Sequence, residues 1–163
     1  MCRAQIADTG VAGCGILGIK QIFAKMQKNE RIKEMLEAGM KGRQELMVTK
    51  ENSASAVGSG LLDVFATPAM VALMEKTAWM SIADALGEGE GTVGTKLEIA
   101  HSAATPVGMK VWCESELVEV DGRRLVFEVK CFDEKGEIGG GRHERFIIKN
   151  EKFMAKALAK KEQ

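Results

Sequence analysis

The sequence predicts an α+β domain in which an antiparallel sheet wraps around one long central helix. Three observations carry this. One strand-like segment precedes a long apolar helix, and four strand-like segments follow it in succession. Turn signals join those later segments as antiparallel neighbours. The helix has almost no polar face, so it must be covered, and a curled sheet is the simplest cover.

The chain of 163 residues makes one domain of ordinary size. Residues 1–25 are small and Gly-rich with no sustained period, and are expected to form a disordered leader outside the fold. Val11-Ala12-Gly13-Cys14 has the form of a lipoprotein cleavage box. The ten residues before it include Arg3, Gln5, Asp8 and Thr9 instead of an apolar run, so no signal peptide is expected. Residues 26–41 follow as a short polar helix, with Gly39 as its stop, and the domain proper spans 42–163.

Residues 43–50 have strand character, and Glu51 to Gly60 make a polar loop with a flexible end at Gly58-Ser59-Gly60. Thr67-Pro68 is a helix start: Thr can cap the free N–H groups and Pro fits the first helical position. From Ala69 to Leu86 the only charges are Glu75, Lys76 and Asp84, so this helix should be buried, ending at Gly87. Strands are expected over 92–101, 108–120, 123–133 and 142–149. Asp121-Gly122 signals a tight hairpin, and Gly136 with Gly139-Gly140-Gly141 marks the next turn. Residues 150–161 form a basic amphipathic helix with Phe153, Ala157 and Leu158 on one side.

Composition excludes several classes. Lys plus Arg number 23 and Asp plus Glu number 23, a zero balance that argues against a nucleic-acid binder and a polybasic membrane-surface protein. No apolar run approaches the roughly 20 residues of a spanning helix. Tyr is absent and there are only 6 Phe and 2 Trp, so no stacking platform for single strands is expected. The 4 Cys and 2 His lack zinc-site spacing, so no metal is expected. An irregular cysteine pattern and 10 Met fit a reducing, cytoplasmic setting.

Gly89-x-Gly91-x-x-Gly94 matches a dinucleotide fingerprint by letter, but a helix precedes it and a strand follows, the reverse of what aims N–H groups at phosphate. Glu75 is more informative. Val71, Ala72, Ala78 and Trp79 surround it at helical spacing, and a carboxylate on an apolar face loses solvation, a condition for general acid–base work. A Glu75 that reaches solvent or pairs with a cation is the simpler account of the residues alone. His101 closes a strand and is either structural or, if it meets Glu75, half of an acid–base pair. Thr67 is a helix cap or, at a pocket mouth, an oxyanion ligand together with the helix N–H groups. Alternation puts His143 and Arg145 on one strand face and Glu144 on the other; a surface-charged strand explains that pattern equally well. No Gly-x-Ser-x-Gly elbow or Cys–His hydrolase signature supports serine or cysteine acyl-enzyme chemistry.

The run VFATPAMVALME at Val64–Glu75 resembles the central-helix signature of hotdog-fold thioesterases related to fluoroacetyl-CoA thioesterase. GTVGT at Gly91–Thr95 and HSAATPVG at His101–Gly108 resemble a second signature. VDGRRL at Val120–Leu125, Ile138-Gly139 and GRHERF at Gly141–Phe146 resemble a third. The motifs occur in the right order from about Gly42 to Lys156. The resemblance implies a hotdog fold, a homodimer or larger homo-oligomer, and hydrolysis of a short-chain acyl-CoA to free acid and CoA. It carries catalytic roles to Thr67, Glu75 and His101, and substrate contacts to Gly94 and Arg145. Fluoroacetate-selective members have an aromatic lid before the central signature; here Ser59-Gly60-Leu61-Leu62-Asp63 has none, and Leu61 in that segment is expected to bind substrate together with Gly94 and Arg145. No cofactor is implied, since CoA is part of the substrate, and neither nucleic acid nor membrane is an expected partner. Two alternatives are a hotdog enoyl-CoA hydratase and a non-catalytic acyl-CoA-binding hotdog module. The signatures favour the thioesterase branch over the first, and the intact Thr67, Glu75 and His101 argue against the second.

Overall fold

The computed structural model describes residues 36–161. Five strands and two α-helices follow in order: β1 (Lys41–Met47), α1 (Thr67–Met80), β2 (Glu90–His101), β3 (Lys110–Asp121), β4 (Arg124–Asp133), β5 (Gly136–Lys149) and α2 (Asn150–Leu158). The sheet runs β1-β3-β4-β5-β2, with every neighbouring pair antiparallel. It curls around α1 as the sequence predicts.

Alternation builds the inner face. Val111, Cys113 and Leu117 of β3 and Leu125, Phe127, Val129 and Cys131 of β4 are buried in the core cluster. Trp112 and Phe132 stack at 5.6 Å, and the Arg43 guanidinium lies 4.9 Å from the Trp112 ring centre. From α1, Met70, Leu73, Met74, Thr77 and Ala78 are buried at spacings of one helical face. Each such large side chain contributes roughly 1.5–3 kcal/mol by leaving water.

The helix is not buried all round, as its composition suggested. Within one chain Trp79 is 42% and Met80 40% exposed. It is also shorter than expected, ending at Met80 instead of reaching Gly87. The Ser81 hydroxyl donates to the Ala78 carbonyl at 2.8 Å, an alternative to the helical ladder, and Ile82 and Ala85 then turn into the core. β1 crosses this end closely: a Cβ on Gly42 would lie 2.6 Å from Ser81 Cβ.

Other expectations need correction. The leader 1–25 and residues 26–35 of the short helix lie outside the described residues. Residues 36–40 are not helical; Ala38 and Gly39 form a turn, pinned to β3 by Gly39 N–H to Leu117 O at 2.7 Å and Leu117 N–H to Met40 O at 2.8 Å. The loop after β1 is tied down by Ser53, whose buried hydroxyl donates to Lys50 O at 2.7 Å, and by Ser59 N–H to Ala54 O at 3.0 Å. Gly139, Gly140 and Gly141 do not turn the chain. They lie inside β5, paired with His101, Ala100 and Ile99 of β2, and a Cβ on Gly141 would lie 2.1 Å from Glu98 O. The turn falls at Glu134-Lys135, where Asp133 accepts N–H bonds from Lys135 and Gly136. The Asp121-Gly122 hairpin closes one residue later than its letters suggest, with Asp121 paired to Arg124. The basic helix continues from Leu158 into a 3₁₀ turn, Ala159–Lys161, and buries none of its residues.

Candidate active site

Two separate groups of polar side chains form where α1 meets β2 and β5. At the helix start, Ala66 takes the N-cap position and makes no side-chain cap bond; Thr67 is the first helical residue. The expected Thr67 cap is therefore not formed. Its hydroxyl turns to the last residue of β2, where Thr67 Oγ1 and His101 Nδ1 are 2.9 Å apart. The His101 ring meets Phe65 edge to face at 6.4 Å. Burial pulls the His101 pKa below its ordinary value, so the ring is neutral at neutral pH and free to take a proton. Its Nε2 is buried and has no hydrogen-bond partner among the described residues. A cavity of about 240 Å³ opens here, lined by Phe65, Thr67, His101, Ser102 and Ala103 among others.

Glu75 belongs to the second group. Thr67 and Glu75 are eight residues apart on α1, roughly 12 Å along the axis. Gly94 and His101 are seven apart on β2, roughly 23 Å along the strand. Glu75 lies against Gly94: a Cβ there would be 2.7 Å from Glu75 Oε1 and 3.1 Å from His143 Cε1. Glu75 and His101 of one chain therefore do not meet, contrary to the pairing considered from the sequence.

Beside Glu75, β5 supplies His143 and Arg145, which share the inner face as alternation predicts and are 0% and 5% exposed. Glu144 points the other way and pairs with Arg124 at 3.0 Å. Arg145 Nε donates to Thr92 Oγ1 at 2.8 Å, Nη2 to Thr92 O at 2.9 Å, and Nη1 bonds His143 Nε2 at 3.0 Å. Burial lowers the Arg145 pKa, and the nearby Glu75 carboxylate opposes that shift. A bulge in β2 between Gly94 and Lys96 sits at this point and re-aims the strand.

Sequence reasoning named Thr67, Glu75, His101, Gly94, Arg145 and Leu61. The structure joins Thr67 with His101, and Glu75 with Gly94 and Arg145. Leu61 is 96% exposed on the loop before α1 and does not line the cavity. His143 and Thr92 were not singled out for the site. For His143 the signal was present, since it shares a strand face with Arg145; for Thr92 it was the two-residue spacing from Gly94.

The chain matches the family of fluoroacetyl-CoA-specific thioesterases over residues 48–151. It belongs to that family. The fluoroacetyl-CoA thioesterase of Streptantibioticus cattleyicolor is 47% identical over 98 residues, which cover 60% of this chain and 70% of that protein. A solved structure of the fluoroacetyl-CoA thioesterase FlK superposes with a TM-score of 0.73 at 37% identity, covering 77% of this chain and 97% of that one. A hot-dog-like protein from Thermanaerovibrio acidaminovorans shares the fold, with a TM-score of 0.71 at 22% identity over 79% of this chain and 96% of its own. The protein is thus a hotdog-fold thioesterase.

Gly94 of this thioesterase offers a direct probe of the second group. In Gly94→Ala the new methyl meets the flexible end of Glu75, which yields but loses its position, and lies 3.1 Å from His143 Cε1, a ring that has to give only slightly. Turnover is expected to fall about 10-fold or more with little change in melting temperature, since misplacement of a reacting group by an ångström is that costly. Wild-type turnover in the Ala variant would show that contact with Gly94 does not matter to the chemistry.

Proposed function

We propose that this thioesterase hydrolyses a short-chain acyl-CoA to free acid and CoA, using Thr67, Glu75 and His101 in a site shared by two copies of the chain. The observation that carries the proposal is the separation of the polar groups. Thr67 and His101 are in contact, yet Glu75 stands with Gly94, seven residues away along β2. In the homodimer proposed here, a two-fold axis would carry Glu75 of the partner subunit to the Thr67–His101 pair and repeat the site in reverse. Two features favour such a homodimer. β2 is a 12-residue strand at the sheet edge, an open row of backbone donors and acceptors. α1 leaves Trp79 and Met80 uncovered at its C-terminal end.

The chemistry then follows from the groups. The Glu75 carboxylate attacks the thioester carbonyl and its anhydride is cleaved by water, or it takes a proton from water that attacks directly; both routes return acid and CoA. Neutral His101 moves the proton between the attacking group and the departing thiolate. The Thr67 hydroxyl and the free N–H groups at the start of α1 stabilise the developing oxyanion.

A panel of acyl-CoAs tests the reading through release of free thiol. Ordinary short acyl-CoAs are expected to be cleaved at least as well as fluoroacetyl-CoA, because residues 59–63 hold no aromatic side chain and Leu61 faces solvent. Tight binding without thiol release would instead support a binding module, and a strong preference for the fluorinated substrate would refute the argument from the lid.

A further inference from the structure

Arg145 is a fixed cation close to Glu75, and the two nevertheless form neither a hydrogen bond nor an ion pair among the described residues. Direct pairing would occupy the carboxylate that the proposed reaction needs. Something must hold the guanidinium elsewhere, and its partners are identifiable. Nε and Nη2 are taken by Thr92, and Nη1 by His143.

We propose that His143 is a positioning residue: its neutral imidazole accepts a hydrogen bond from Arg145 and so holds the guanidinium away from Glu75, which leaves that carboxylate unpaired. The inference rests on the catalytic reading of Glu75 given above. The tautomer follows from the partners. His143 Nδ1 lies 3.0 Å from Lys96 O, and a carbonyl only accepts, so Nδ1 carries the proton. Nε2 lies 3.0 Å from Arg145 Nη1, and a guanidinium only donates, so Nε2 offers its lone pair. A second proton on the ring would point N–H at N–H. Burial is the main cause that lowers the His143 pKa, and the Arg145 charge adds to it. The Lys96 carbonyl and the Glu75 charge oppose the shift. The ring is wedged against the same point of β2 as the Glu75 carboxylate, since both approach the Gly94 Cβ position. His143 thus orders the cation and flanks the anion, while β2 fixes its orientation.

Three substitutions separate this role from simple bracing of β5 on β2. His143→Gln places an amide oxygen near the former Nε2 and keeps the acceptor for Arg145. His143→Asn places an amide N–H near the former Nδ1 and keeps the bond to Lys96 O only. His143→Leu keeps neither. With acetyl-CoA as the probe, the Leu and Asn variants are expected to lose about 10-fold or more in kcat with KM changed less than about threefold, and Gln to recover most of kcat. Recovery by Asn but not by Gln, wild-type kcat in the Leu variant, or a loss carried by KM would overturn the proposal. Nitrogen-15 NMR of the wild-type imidazole keeps it testable should the variants fail to fold. A neutral Nδ1–H ring is expected at pH 7, and an Nε2–H or charged ring would overturn it. Failure of the catalytic reading appears separately, as normal turnover in Glu75→Gln with the ring state unchanged.

Discussion

Glu75→Gln is expected to lower kcat by about 10²-fold or more while the fold holds. The amide fills the same space and keeps most of the hydrogen-bonding reach, but it has neither charge nor basicity. Stability should be unchanged or slightly higher. Among the described residues the Glu75 carboxylate makes no ion pair whose loss would be felt, and a neutral amide costs less to desolvate than a carboxylate. Substrate affinity should change little, because the altered group acts on the reacting carbonyl and not on CoA. The competing account makes Glu75 a counter-ion for buried Arg145, which is only 5% exposed. It predicts the reverse pattern, a lower melting temperature with near-normal turnover of the folded fraction. Measuring kcat and melting temperature on one preparation distinguishes the two. A well-folded variant with wild-type kcat would remove Glu75 from the mechanism.

Mixing two inactive variants should restore activity. Glu75→Gln and His101→Ala each disable both sites of a homodimer in which Glu75 serves the partner's His101. In a mixed dimer, one site draws an intact Glu75 from one chain and an intact His101 from the other, while the second site lacks both. Random reassortment makes about half of the dimers mixed, each with one working site, so the mixture should reach about a quarter of wild-type activity. The parents should each remain about 10²-fold or more below wild type. The experiment is co-refolding of the two variants followed by thiol-release assay, with each parent refolded alone as the control. A mixture no more active than its parents would show that the site is not divided between chains. The result bears directly on the observed geometry, in which Thr67 and His101 are 2.9 Å apart while Glu75 packs at Gly94.

What the sequence determined by itself is whatever depends on local periodicity. The two-residue repeat of a strand placed His143 with Arg145 on one face of β5 and Glu144 on the other. The long apolar run and Thr67-Pro68 located the central helix, and the ordered motifs from Val64 to Phe146 carried the family. Tertiary structure alone decided which distant residues touch. Gly139–Gly141 look like a turn in sequence, but register with β2 and β4 makes them strand, because neighbouring backbones come too close there for a side chain. The helix stops at Met80 because Ile82 and Ala85 are drawn into the core and Gly42 of β1 packs on Ser81. Thr67 has the letters of a cap, yet the chain enters the helix through Ala66 and frees the hydroxyl for His101. The partners of Glu75 were equally out of reach of periodicity. A helix presents a side chain in a direction that sequence can give, but the strand residue opposite it depends on how α1 crosses the sheet, and that crossing is set by the packing of every buried side chain between them.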